Sequence, residues 1–429
     1  MEALSGERWH QTGWPVHTGS NMTHPLAFIA ASSDMGEPML PLVLFLVFAS
    51  SLLLAEAAER LHVPGIVGGM AAGLVIGPSA LGLVRYDNVL HALSEIGVMF
   101  LLFEVGLEVK PSELLKVGRT ALLVAVLGVV LPFALGWLIF SRAGRPVPES
   151  MFMGAAMVAT SVGITAQVLS AQGYLAHRAS QVILAAAVID DVLGLLVLAV
   201  VSSLGTSGRI DFIGIAASAL TAFAFIFAVF RFGPTAASHM VPKLTRRMRT
   251  RESEFAVALL FLLGMSALAI RSGVAAIVGA FLAGMALSET VSKHVHLLSR
   301  GAGRLMIPFF LAGIGLQMDL SPFRNPGTLA LATAILFAAI LSKAAGCGLG
   351  AWSLGMKDAI RVGAGMVPRG EVGMVVAQVG LGAGIVSREG YGIAVFMAVM
   401  TTAIGPLLLK LTFRNVRAEK HAVLDESHR

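Results

Sequence analysis

The sequence predicts an all-α, polytopic membrane protein, and three observations predict it. Hydrophobic residues make up 56% of the chain and charged residues 13%, with a mean hydropathy of +0.82, far from the usage of a soluble domain. Apolar runs long enough to cross about 30 Å of hydrocarbon recur along almost the whole length, with mostly short polar loops between them. The runs are continuous rather than alternating, which excludes a closed β-barrel.

Thirteen such windows follow one another. The first three cover about 38–56, 64–84 and 90–107; the third carries Glu104 near its end, facing an aqueous vestibule or a helix terminus. After 119–140, the fifth window, 149–171, holds ATSVGIT (159–165) at mid-depth, and the sixth, 179–204, holds AAAVIDDVLGLLVLAVV (185–201). Windows at 211–230, 253–270, 273–288 and 304–318 come next. The eleventh, 327–352, contains Lys343 and the single cysteine, Cys347, so no intramolecular disulfide forms. The twelfth, 359–382, holds GMVPRGEVG (365–373), and the thirteenth covers 389–413. Residues 1–37, with three His and two Trp, read as a polar tail without a signal-peptide pattern, and 414–429 as a second tail.

Lys and Arg are unevenly shared between the two sides. Eight of the 31 fall on the side of the N-terminus and 21 on the other, where KLTRRMRTR (243–251) lies; the remaining two, Lys343 and Arg369, are inside windows. The positive-inside rule puts the N-terminus outside and the C-terminus in the cytoplasm. The sequence pI near 9.8 is then a matter of topology, and no nucleic-acid role follows from it.

Two pairs of segments repeat at nearly constant distance. IVGGMAAGL begins at Ile66 and IVGAFLAGM at Ile277; FLLFEVGLEVKPS begins at Phe100 and FFLAGIGLQMDLS at Phe309. The shift is seven windows, and an odd shift reverses direction across the membrane, so the chain reads as two inverted-topology repeats. Secondary transporters of this kind place their ion site near the midplane, on interrupted helices. Thr160, Ser161 and Gly163 in one half, and Pro368 and Gly370 in the other, are candidate unwinding points, which predicts crossed, discontinuous helices.

An ionised Asp at the centre of a spanning helix costs about 2.5–3.5 kcal/mol on insertion scales. Asp190 and Asp191 are adjacent and point about 100° apart, so one faces a partner and the other a cavity. Lys343, the only lysine at membrane depth, is the available partner for one of them. The other carboxylate is left to bind a proton or a cation, and both aspartates are candidate ligands for Na+. Arg369 and Glu371 read as a local structural ion pair across the break at Pro368. An intramembrane aspartyl protease needs its two aspartates on facing helices, which adjacent residues of one helix cannot provide; no enzyme is expected.

ATSVGITAQVLS, the double aspartate, the lysine of the eleventh window and GMVPRGEVG together resemble the monovalent cation:proton antiporter-2 family, in its NapA-type, Kef-related branch, over about 38–413. The resemblance implies an NhaA-like fold of thirteen helices. A core (about 119–204 and 327–413) carries the crossed helices, and a separate panel (about 38–107 and 253–318) forms a homodimer. It implies that Asp191 binds the cation, that Asp190 is the lysine-paired neighbour, and that Thr160 and Ser161 add ligands. It also implies exchange of two protons for one sodium ion across the cytoplasmic membrane by an elevator-like movement, with no cofactor. The alternative in the same class is a Kef-type K+/H+ antiporter, disfavoured by the double aspartate and by the absence of a nucleotide-binding segment after the last window.

Overall fold

The computed structural model describes residues 40–61, 63–207, 212–248 and 252–414, and every regular element among them is helical. The two polar tails, apart from Arg414, and the end of the basic run at 249–251 lie outside the described residues.

Each apolar window becomes helix. The chain begins with α1 (Leu40–Arg60), α2 (Gly65–Ile76) and α3 (Asn88–Glu108), and a short α4 (Pro111–Lys116) leads into α5 (Gly118–Arg142). The fifth window divides into α6 (Val147–Val158) and α7 (Val162–Ala171). Both aspartates lie on α8 (Arg178–Ser207), followed by α9 (Phe212–Thr245), α10 (Ser253–Arg271), α11 (Ala276–Leu287), α12 (Lys293–Leu316) and α13 (Pro326–Gly350). The twelfth window divides into α14 (Met356–Gly365) and α15 (Gly370–Gly382), and α16 (Arg388–Thr412) completes the set. Among the described residues, ten helical stretches are long and apolar enough to cross a membrane; 65–76, 276–287 and 372–382 are apolar but shorter.

Local chemistry sets several starts. The Asp87 carboxylate accepts from Leu90 N–H at 2.9 Å at the head of α3, and Asn325 accepts from Gly327 N–H at 2.9 Å where Pro326 opens α13. Ser387 does the same for α16. Each satisfies a donor that the helix itself cannot. One boundary differs from the sequence expectation: the seventh window stops at residue 230, but α9 runs on to Thr245 through Pro234 and Pro242. Arg231 ends the apolar run without ending the backbone ladder, its guanidinium lying over the Phe232 ring and its stem free to extend along the helix.

Packing sorts the helices. α3 lies against α11 and α12, α2 against α1 and α12, and α10 against α11; α5 lies against α13, α6 and α8, and α16 against α13, α14 and α15. In lipid, close approach of backbones replaces the hydrophobic drive between helices. A Cβ on Gly73 would fall 1.9 Å from Ala312 O, and one on Gly315 2.0 Å from Met70 O, so α2 and α12 touch backbone to backbone. A Cβ on Gly284 would fall 2.2 Å from Phe103 O, and one on Gly106 2.2 Å from Phe281 O, which puts α11 and α3 in the same relation. These are the glycines of the two repeated segments. Gly284→Val is expected to lose more than the ~1–3 kcal/mol of ordinary overpacking, because the obstacle is backbone; the monodisperse yield in size-exclusion chromatography checks it.

Candidate cation site at two broken helices

The two interrupted helices meet at their breaks. Between α6 and α7 residues 159–161 are not helical, and between α14 and α15 the helix is absent over 366–369. Ser161 N–H donates to Pro368 O at 2.7 Å, so the amide freed by one break meets the carbonyl freed by the other. Thr165 Oγ1 donates to Gly365 O at 2.7 Å, and Gly370 N–H donates to Thr402 Oγ1 at 3.0 Å. Irregular backbone is tolerated at this depth because protein groups supply the missing partners.

Gly370 has a reason of its own. Its φ is +51°, and a Cβ there would fall 2.4 Å from Ser161 Cβ. Gly370→Ala is expected to cost about 1–2 kcal/mol for the left-handed backbone alone and more for displacing Ser161. A lowered unfolding midpoint with slowed ion exchange is the expected outcome.

Lys343 organises the charges. Its ammonium donates to both oxygens of Asp190 at 3.1 Å, to Gly128 O of α5 at 2.9 Å and to Val158 O at 2.6 Å. Lys343 and Asp190 are each 0% exposed. Three donors face three partners, and Val158 is the last helical residue of α6, so the cation also sits at the negative end of that half-helix. The lysine therefore ties the helix of the aspartates, one break and α5 into a single unit.

Asp191, one residue on, is 5% exposed and is not part of the Lys343 ion pair. Thr160 is 2% exposed and its Oγ1 has no hydrogen-bond partner among the described residues. Ser161 is buried against Gly370. The structure thus brings Asp190, Asp191, Lys343, Thr160, Ser161 and Pro368 into the region of the breaks. Both oxygens of Asp190 accept from Lys343, the charge partner expected for it.

Arg369 is fully buried at the head of α15, and its Nη2 donates to Ala339 O at 2.7 Å, one turn before Lys343 on α13. The side chain of Glu371, its expected partner, lies outside the described residues. Glu104, near the end of α3, binds Arg300 of α12 at 2.8 Å, and Glu108 binds the same guanidinium at 3.0 Å. Arg300 is 46% exposed, so Arg300→Ala is expected to change stability by less than about 1 kcal/mol and to leave transport intact in vesicles. Sequence reasoning missed Arg300, Gly128 and Val158; the last two act through backbone carbonyls, and a side-chain pattern carries no signal for those.

The family described as "Sodium/hydrogen exchanger, transmembrane" matches residues 45–415. The chain belongs to the sodium/hydrogen exchanger family. Relatives agree with this membership. The high-affinity Na+/H+ antiporter NhaS3 of Synechocystis is 32% identical, over 91% of this chain and 95% of its own. The Na+/H+-K+ antiporter GerN of Bacillus cereus is 33% identical, over 86% of this chain and 95% of its own. The solved structure of the sodium proton antiporter MjNhaP1 from Methanocaldococcus jannaschii at pH 8 shares the fold, with a TM-score of 0.61 and 18% identity over 88% of this chain and 97% of that one. The exchanger is thus a multi-pass membrane protein that transports sodium ions and protons, and not an enzyme. The narrower antiporter-2, Kef-related label expected from the motifs is not carried by these matches.

Proposed function

We propose that the exchanger moves sodium ions against protons at one buried site, where Asp191 carries either a proton or a sodium ion and Lys343 holds the neighbouring Asp190. The Lys343–Asp190 pair carries this reading: it occupies both oxygens of one carboxylate beside the crossing of two helix breaks, so the second carboxylate is the acid that cargo meets. A hard monovalent cation takes oxygen ligands, and Thr160, Ser161 and the carbonyls of the breaks supply them next to Asp191. Burial penalises a bare charge, so sodium ion and proton compete to neutralise the site. The proposed cycle exchanges two protons for one sodium ion and is electrogenic.

The scaffold belongs to the same proposal. Equivalent backbone contacts of Gly73–Gly315 and Gly284–Gly106 support two inverted repeats, and so do Gly154 against Phe133 O and Gly363 against Ala344 O. With the short α2 and α11 and the two broken windows each counted as one crossing, the fold is NhaA-like with thirteen crossings. The packing groups support a core at about 119–204 and 327–413 that moves against a panel at about 38–107 and 253–318. The exposed apolar face of α1, with Phe45, Leu52 and Leu53 at 65%, 60% and 67% exposure, supports a homodimer through the panel. The Lys/Arg asymmetry supports a cytoplasmic-membrane protein with its N-terminus outside and its C-terminus inside.

The test is internal pH in proteoliposomes after sodium, lithium or potassium is added outside. Alkalinisation by sodium and lithium, weaker with potassium, is expected. Equal responses to all three cations contradict the selectivity, and the absence of any response contradicts the exchange.

A further inference from the structure

The second break, 366–369, is gripped by residues of two helices, α16 and α7. On α16, Thr402, Gly405 and Leu409 share a face. Thr402 Oγ1 accepts from Gly370 N–H at 3.0 Å, a Cβ on Gly405 would overlap Pro368 Cγ, and one on Gly365 would fall 3.5 Å from Leu409 Cδ2. On α7, Ser161 and Thr165 are one turn apart. Ser161 N–H donates to Pro368 O, and Thr165 Oγ1 donates to Gly365 O at 2.7 Å. The carbonyl of the last residue of α14 and the amide of the first residue of α15 thus each end on a threonine hydroxyl.

These two hydroxyls are used differently from those of other helical threonines. A threonine inside a helix commonly bonds back to a carbonyl of its own preceding turn. Thr333 does so to Leu329 O at 2.7 Å, Thr412 to Leu408 O at 2.9 Å and Thr401 to Ala398 O at 3.1 Å. Thr401 and Thr402 are neighbours and both fully buried, yet it is Thr402 that meets the break. Thr165, also fully buried, reaches a carbonyl 200 positions away in the sequence. Packing alone asks for no hydroxyl at either place, since valine has the same shape. The hydrogen bonding does ask for one: the freed carbonyl needs a donor and the freed amide an acceptor, and a hydroxyl serves as either.

We propose that Thr165 and Thr402 are positioning residues for sodium. They fix the two ends of the second break and, through the bond between Ser161 and Pro368, the spacing of the oxygens that Thr160, Ser161 and Asp191 offer the cation. Groups behind the ligands set ligand geometry and with it the affinity of an ion site, and sodium and potassium differ in the spacing they need. The inference rests on the exchange reading above and adds to it the residues that separate the two cations.

The test is proton movement in proteoliposomes at graded sodium and potassium concentrations, with unfolding midpoints measured beside it. Thr402→Val and Thr165→Val are expected to raise the half-saturating sodium concentration about tenfold or more and to narrow the gap between sodium and potassium, while the maximum rate changes much less. Thr402→Ser and Thr165→Ser, which keep the hydroxyl, are expected to restore the parent values. Thr401→Val, whose lost bond lies within its own helix, is expected to leave half-saturation and selectivity unchanged. Thr402→Ala and Thr165→Ala remove the hydroxyl without pressing a methyl group on the break, and they read the same shift where a valine variant is not recovered folded. Lower midpoints with parent-like half-saturation and selectivity overturn the inference, as do serine variants no better than the valine ones or an equal shift in Thr401→Val. A parent that moves no protons in response to sodium overturns the exchange reading and this inference together; a parent that exchanges sodium while the hydroxyl-free variants match it overturns this inference alone.

Discussion

Asp191→Asn is expected to abolish sodium-driven proton movement in vesicles while the protein stays folded. The substitution keeps the shape of a side chain that is 5% exposed and removes only its charge and its titration. A unit charge about 4 Å from a cation contributes about 4 kcal/mol at an effective dielectric constant of 20, or roughly a thousandfold in affinity. Loss of transport with an unchanged unfolding midpoint is the expected pair of results. Full exchange in this variant removes Asp191 from the transport site, and a collapsed midpoint gives it a structural role instead.

Lys343→Ala is expected to produce the largest loss of stability of any single substitution at the site. It leaves the fully buried Asp190 without its counter-charge and strips the donor from Gly128 O and Val158 O. Removing one partner of a buried ion pair costs about 3–5 kcal/mol, much of it the penalty on the charge that remains. The double variant Asp190→Asn/Lys343→Met is expected to recover part of that loss, since neither group is then charged. Thermal unfolding in detergent reads both. A single variant as stable as the parent, or a double variant no better than the single, contradicts the role given to the pair.

How much of this was legible in the sequence differs between its parts. Membrane class and helix positions follow from apolar runs, because hydrocarbon admits little else. The double aspartate pointed to the candidate site, because two carboxylates in an apolar helix lack a packing explanation, and one lysine at membrane depth could be matched to them. The breaks at 159–161 and 366–369 were indicated by Gly, Pro, Ser and Thr at mid-window. Three things were hidden. Which aspartate meets Lys343 depends on the rotation of α8, which adjacent residues do not show on their own; only the motif resemblance pointed to Asp190. The contacts of Lys343 with Gly128 and Val158 are made by main-chain oxygens that every residue possesses. The Glu104–Arg300–Glu108 cluster joins residues about two hundred positions apart on α3 and α12, and only the packing of those helices brings them together. The extension of α9 past Arg231 shows the converse limit: hydropathy marks where lipid contact stops, whereas the helix stops where its hydrogen bonding does.

In the proposed cycle a sodium ion and protons compete for one buried carboxylate, and equilibrium sodium binding measured across pH reads that competition. With radiolabelled sodium and purified protein, the apparent affinity is predicted to weaken as pH falls, by about tenfold per pH unit for one displaced proton and more steeply for two, and to vanish in Asp191→Asn. Sodium binding of the same strength at every pH, or binding retained in that variant, would contradict the account.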